Sequence, residues 1–229
     1  MAPTTSQSDR QPVHAYPLGD ALYLNLTSAC TLACVFCPKI RDRDFAVGGF
    51  DLRLARAPEV EEVWQAALAD GLEGRSEVVF TGFGEPTRRL EVLLELARRL
   101  KAAGVRRVRV DTDGLASLRE GRDVVPELAA AGVDALSVSI NAPDAATYAR
   151  LCPNAYGERA WGAACDFIRR AARTLPDVAA SCVGMPGLSR DACEELVLSL
   201  GARFRWRPYD RLGRVDEPAG GEADGDPAR

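Results

Sequence analysis

The sequence predicts an α/β protein built on a parallel sheet in a single domain, and three observations carry that prediction. First, strand-like runs at residues 21–27, 77–81, 105–111, 134–141, 177–183 and 202–209 alternate with helical runs at 58–70, 88–103, 124–131, 144–150, 158–174 and 190–200. Strands separated by helices imply βα units with right-handed crossovers. Second, Gly104, Gly132 and Gly201 stand where three of those helices should close, the position that favours a left-handed residue. Third, four strands carry a polar residue at every second position: Tyr23, Asn25, Thr27; Arg107, Arg109, Asp111; Ser137, Ser139, Asn141; and Arg203, Arg205, Arg207. Parallel strands are ordinarily apolar on both faces, so a polar row indicates a face turned to a wet cavity. Six units, the last without its helix, fall short of an eight-stranded barrel. An incomplete barrel and an open doubly wound sheet both satisfy the pattern.

Residues 1–20 read as an irregular lead-in, with Pro12 and Pro17 as breakers. The first strand places Leu22, Leu24 and Leu26 on one face and its polar row on the other. A loop rich in charge follows to about residue 44, and residues 47–54 read as an extension or short strand. Pro58 opens the first long helix, with Glu59, Glu61 and Glu62 favourably placed at the positive end of its dipole. From Leu212 the chain is rich in Gly, Pro, Asp and Glu and should be disordered. The expected organisation is a lead-in at 1–20, a folded domain at 21–211 and a tail at 212–229.

The 229 residues suit one well-buried domain, and 47% hydrophobic with 27% charged residues is an ordinary globular balance. A net charge of −4 argues against a general nucleic-acid or membrane surface. No apolar run is long enough to span a bilayer, and the polar N-terminus lacks the core of a signal peptide, so a cytoplasmic, reducing location is expected. Seven cysteines, an odd number without an export signal, argue against a disulfide framework. Cys165 and Cys193 fall in helical runs and Cys182 in a strand, as buried small hydrophobes do. Cys152 is expected in a loop; a second cluster built from these four is the alternative reading. There is no G-x-G-x-x-G and no P-loop, and the single histidine, His14, lies in the lead-in.

The chemistry concentrates after the first strand. Cys30, Cys34 and Cys37 form a C-x3-C-x2-C spacing. Soft thiolates favour iron–sulfur clusters or zinc. Structural zinc takes four protein ligands, whereas no fourth cysteine or histidine lies near in sequence. Three thiolates therefore imply an open coordination position for a ligand. Further on, Gly82-Phe83-Gly84-Glu85-Pro86 closes the second strand, where glycine permits close backbone approach and Glu85 supplies a carboxylate at the strand's C-terminal end. Read alone, this is a turn before a helix.

With Phe36 before the last cysteine, the thiolate motif resembles that of the radical S-adenosylmethionine (SAM) superfamily. The resemblance implies an incomplete (β/α)6 TIM-like barrel, a [4Fe-4S] cluster on Cys30, Cys34 and Cys37, and SAM on the open iron. It implies that Phe36 lies near the adenine. Gly84 and Glu85, matching a Gly-Gly-Glu-Pro motif, would hold the methionine amino group, and Ser139 and Asn141 the ribose and carboxylate. Asp113 stands where relatives often have asparagine, so it is either a cofactor contact or a turn residue before Gly114. The implied chemistry is reductive cleavage of SAM, giving a 5′-deoxyadenosyl radical that abstracts hydrogen from a small substrate. A one-electron reductant such as flavodoxin or ferredoxin is an implied partner.

The blocks at residues 22–27, 121–128, 139–145 and 148–152 further resemble the small radical SAM proteins associated with TatD-type nucleases. That resemblance implies a functional link to such a nuclease and no DNA chemistry. Two other readings stand: a small synthase resembling 7-carboxy-7-deazaguanine synthase, and a non-catalytic iron–sulfur electron-transfer or regulatory protein. Arg203, Arg205 and Arg207 share one strand face and suit a carboxylate or phosphate, so the expected substrate group is an anion if the row faces the cavity; an exposed edge strand is the competing account.

Overall fold

The computed structural model describes residues 11–209. The chain opens with β1 (Ala15–Leu18) and β2 (Ala21–Asn25), followed by the cysteine loop, a helical turn α1 (Pro38–Arg41) and a small hairpin of β3 (Ala46–Val47) and β4 (Phe50–Asp51). Then come α2 (Val60–Asp70), β5 (Val78–Thr81), α3 (Leu90–Ala102), β6 (Val108–Thr112), α4 (Ala116–Glu120), α5 (Val125–Ala130) and β7 (Ala135–Ser139). The last elements are α6 (Ala145–Leu151), α7 (Arg159–Thr174), β8 (Asp177–Val183), α8 (Arg190–Ser199) and β9 (Arg203–Arg207).

One seven-stranded sheet runs in the order β1-β2-β5-β6-β7-β8-β9. Six strands from β2 onward are parallel and lie in chain order. A doubly wound sheet reverses its order at a switch point. Here no reversal occurs, and β1 and β9 do not pair, so the fold is the incomplete barrel.

Register separates the two faces. Leu22, Leu24, Val78, Phe80, Val108, Val110, Leu136 and Val138 are buried on the outer face. They join one core with Val63 and Ala67 of α2, Leu93 and Leu100 of α3, Phe167 and Ile168 of α7, and Val197 of α8. Truncating a fully enclosed member such as Phe80 should cost about 3–5 kcal/mol. Local signals place the helices. Glu59 and Glu62 form a reciprocal capping box on α2, Asp144 accepts the Thr147 N–H at 2.8 Å, and Ser189 accepts that of Ala192 at 3.2 Å.

Several expectations are corrected. Residues 15–18 of the lead-in form β1, antiparallel to β2 with Pro17 opposite Leu22. A proline without an N–H is tolerated there because β1 is an edge strand. The stretch 47–54 contributes to a hairpin, and the cysteine loop ends in a helical turn. The short α4 was not anticipated from the pattern. Cys152 stands at the start of the loop that follows α6, as its C-cap, and is fully buried. The expected lead-in at 1–10 and the tail at 212–229 lie outside the described residues.

Candidate active site

The loop after β2 holds the three thiols, each free and half-buried. Cys37 begins α1: its carbonyl accepts the N–H groups of Ile40 and Arg41, both at 2.9 Å, with Pro38 at the first helical position. Lys39 ties the loop back through a 3.0 Å bond to the Ser28 carbonyl. Arg41 reaches Tyr209 beyond β9 at 2.9 Å, so the loop bridges toward the open edge. Phe36 packs into the hydrophobic core.

The Gly84-Glu85 turn is fastened to this loop. The Glu85 N–H donates to the Ala29 carbonyl at 2.9 Å. A Cβ on Gly84 would stand 2.0 Å from the Thr27 carbonyl oxygen, so only glycine lets the two backbones meet. The buried Glu85 carboxylate accepts from the Thr87 N–H (3.0 Å), the Thr87 hydroxyl (2.6 Å), the Thr112 hydroxyl (2.8 Å) and the Asp113 N–H (2.7 Å). It therefore clamps the ends of β5 and β6 together.

Asp113 is the contrasting carboxyl group. Its Oδ1 accepts the Leu115 N–H at 2.9 Å, while the buried Oδ2 has no partner. Burial, and then the neighbouring Glu85 charge, raise its pKa well above the carboxylate range; the Leu115 N–H, the Thr31 hydroxyl and Arg119 partly offset this. The Thr31 hydroxyl of the cysteine loop, buried and without a hydrogen bond of good geometry, lies beside Asp113. Nearby, Asn141 Oδ1 and the Tyr148 hydroxyl are likewise unpartnered. Burial, followed by the influence of Cys152, Asp113, Cys34 and Cys30, pushes the Tyr148 phenol upward. Burial pushes the Cys30 thiol up to about 12. A hydrogen bond with Cys152, followed by burial, pushes Cys34 upward.

Strand parity predicts that Ser139 and Asn141 share a face, but β7 ends at Ser139. Asn141 is left-handed (φ 57°), so parity does not orient it; asparagine tolerates that conformation. Its Nδ2 lies 3.4 Å from the Ser139 carbonyl and 3.7 Å from Cys152 Sγ. Thr112, Tyr148 and Cys152 are site neighbours that sequence reasoning missed as such. The signal for the last two was their i, i+4 spacing, which joins Cys152, as the cap of α6, to the Tyr148 carbonyl in the last turn.

The arginine row divides. Arg203 pairs with Asp177 at 2.6 Å at the N-terminal end of the strands. Arg205 is exposed, and Arg207 lies at the C-terminal end of β9. Neither of their side chains has a hydrogen-bond or ion-pair partner among the described residues. Burial, and then the Arg205 charge, lower the Arg207 pKa. The β6 row also differs from a row lining a wet cavity, because Arg107 and Arg109 are occupied by Glu77 at 3.2 and 2.9 Å.

Among the described residues, no three or more His, Cys, Asp or Glu groups are placed to hold a single metal ion. The donors still fit a cubane, whose thiolates bind separate irons and need not converge on one point. Unpartnered buried atoms on Asp113, Asn141 and Tyr148 fit a polar ligand beside it.

Fold and site together define a partial parallel β/α barrel with a thiol-bearing loop over the C-terminal rim of its strands. Residues 24–200 match the family model described as the Radical SAM superfamily. The chain belongs to the radical SAM superfamily. It is 34% identical over 154 residues to a GTP 3',8-cyclase of Synechococcus sp. (strain CC9902), covering 66% of this chain and 39% of that protein. It is 34% identical over 131 residues to a probable dual-specificity RNA methyltransferase RlmN 1 of Opitutus terrae (strain DSM 11246 / JCM 15787 / PB90-1), covering 54% of this chain and 34% of the other. The chain thus spans well under half the length of these curated relatives. Among solved structures, Streptococcus suis SuiB bound to precursor peptide SuiA matches with a TM-score of 0.59 at 17% identity, covering 83% of this chain and 39% of that one. TYW1 with a lysine-pyruvate adduct bound matches with 0.57 at 15%, covering 83% and 65%. At these identities the structures support the fold alone. No described helix is long and apolar enough to cross a membrane.

Proposed function

We propose that the protein is a radical SAM enzyme acting on a small anionic substrate. The supporting observation is that three free thiols on the β2 loop lie beside buried, unpartnered polar atoms of Asp113, Asn141 and Tyr148. In this reading Cys30, Cys34 and Cys37 hold a [4Fe-4S] cluster, which with SAM supplies a hydrogen-abstracting radical after one-electron reduction. The chain's own residues bind and orient. Glu85 holds the rim in shape through four donors, and its carboxylate favours a nearby ammonium group. Asp113 Oδ2, with no hydrogen bond of its own, is a second acceptor for that group, and an ammonium there would draw the carboxyl group into its charged form. Asn141 Oδ1 and the Ser139 hydroxyl suit sugar hydroxyls, and Gly84 permits close approach. Phe36 supports the loop from the core side.

The substrate's anionic group would meet Arg207 at the rim, with Arg205 next to it. Arg203 is already neutralised by Asp177 and serves less well. A flavodoxin or ferredoxin is the proposed class of reductant. The TatD-associated likeness rests on sequence blocks and carries a functional link rather than a chemistry. Anaerobic reconstitution with iron and sulfide, reduction by dithionite and measurement of 5′-deoxyadenosine test this reading. Release of 5′-deoxyadenosine is expected. Its absence from protein with a loaded, reducible cluster would favour electron transfer or regulation instead.

A further inference from the structure

The cysteine loop is paired with a second segment. Leu32 bridges Asn154 in antiparallel fashion, the Ala33 N–H donates to the Pro153 carbonyl at 2.8 Å, and the Val35 N–H to the Leu151 carbonyl at 3.0 Å. This register sets Cys34 directly opposite Cys152. Their own backbone groups bond elsewhere: the Cys152 N–H to Tyr148 at 2.7 Å, and the Cys34 carbonyl from Cys37 at 3.0 Å. The cysteines are therefore a non-hydrogen-bonded antiparallel pair, for which the Cα atoms stand about 4.5 Å apart. A disulfide spans about 4.4–6.8 Å between Cα atoms. Cys152 is fully buried and Cys34 half-buried, so an oxidant reaches Cys34 first.

We propose that Cys34 and Cys152 form a reversible disulfide when the cysteine loop is empty, with Cys152 resolving oxidation of Cys34. The role of the empty loop rests on the cluster reading above; the pairing itself does not. With hydrogen peroxide as oxidant, the Cys34 sulfur attacks one oxygen and the O–O bond breaks. The departing hydroxide takes the thiol proton as water, leaving a sulfenic acid. The Cys152 sulfur attacks the Cys34 sulfur, the S–O bond breaks, and the second hydroxide leaves with the Cys152 proton as water. Two thiols and one peroxide become one disulfide and two waters, a two-electron oxidation. The bridge withholds a ligand from incoming iron and stops Cys34 short of the irreversible sulfinic acid. A dithiol reverses it. Cys182 and Cys193 are also neighbours but are both fully buried, which makes them an internal control.

The test treats metal-free, full-length protein with stoichiometric hydrogen peroxide, blocks the remaining thiols and maps the linked peptides by mass spectrometry. A Cys34–Cys152 linkage is expected, with Cys182 and Cys193 unlinked. Iron uptake on subsequent anaerobic reconstitution should fall to background and return after dithiothreitol. In Cys152→Ser, the same peroxide treatment should cause a loss that dithiothreitol does not restore; Cys152→Ala serves if the serine variant folds poorly. Linkage of Cys34 to Cys30 or Cys37, no linkage, or full recovery in the variant would overturn the proposal. Mapping needs no cluster, so a failure of pairing is distinguishable from a failure of cluster binding.

Discussion

The two ends of the barrel's inner face carry similar residues and treat them in opposite ways. At the N-terminal base, Glu77 and Asp177 neutralise arginines: Arg109 and Arg107 on the first, Arg203 and Arg107 on the second. At the C-terminal rim, Asp113, Asn141 and Tyr148 retain buried atoms without partners, and the Arg207 side chain has no ion pair among the described residues. Polar groups satisfied within the protein stabilise it; buried groups left unsatisfied cost stability and await a ligand. The base is a structural plug, and the rim is where binding free energy remains to be gained.

The largest expected effect concerns the rim. Replacing Cys30, Cys34 and Cys37 together with Ala should remove essentially all iron and sulfide from reconstituted protein, whereas retention of about four irons per chain would take the cluster away from this loop. Next, Glu85→Gln should destabilise the fold by about 3 kcal/mol, because the new amide meets groups that were donating to a carboxylate. It should also weaken SAM binding. Denaturant titration and calorimetry read the two effects separately, and unchanged affinity would make Glu85 a rim clamp only.

The base supplies the counterpart. Glu77→Gln should cost about 1.5–3 kcal/mol by weakening the bonds from Arg107 and Arg109, while iron content and SAM affinity stay unchanged. Loss of SAM affinity there would erase the distinction between the two ends.

Asp113 sharpens the comparison through pH. Its folded pKa is raised, chiefly by burial, so its stabilising contribution is complete below the ordinary carboxylate range and is lost as pH rises through the folded value. Each pH unit inside that window removes about 1.4 kcal/mol. Asp113→Asn should therefore be more stable than wild type at neutral pH, show a flatter melting-temperature profile and bind SAM more weakly. A variant with the wild-type pH profile would show that the carboxyl group is not held neutral. The smallest stability effect belongs to Arg205→Met, within about 0.5 kcal/mol as for other surface changes. Turnover of the true substrate should fall while cluster content and SAM affinity hold; full turnover would return Arg205 to the exposed-edge account.

Period-two alternation and glycine stops made the six parallel strands and most helices legible, because local sterics and apolar periodicity act over a few residues. The thiol spacing was legible for the same reason: Cys30, Cys34 and Cys37 lie on one short loop. β1 was hidden because Pro17 reads as a breaker until an edge position makes its missing N–H harmless. The sequence by itself determined which residues are polar on the inner face. Only the tertiary structure decided that Arg109 is paired, that Asp113 Oδ2 is not, and that Cys152 faces Cys34. Partners far apart in the chain are brought together by strand order and register, and neither partner's local sequence specifies the other.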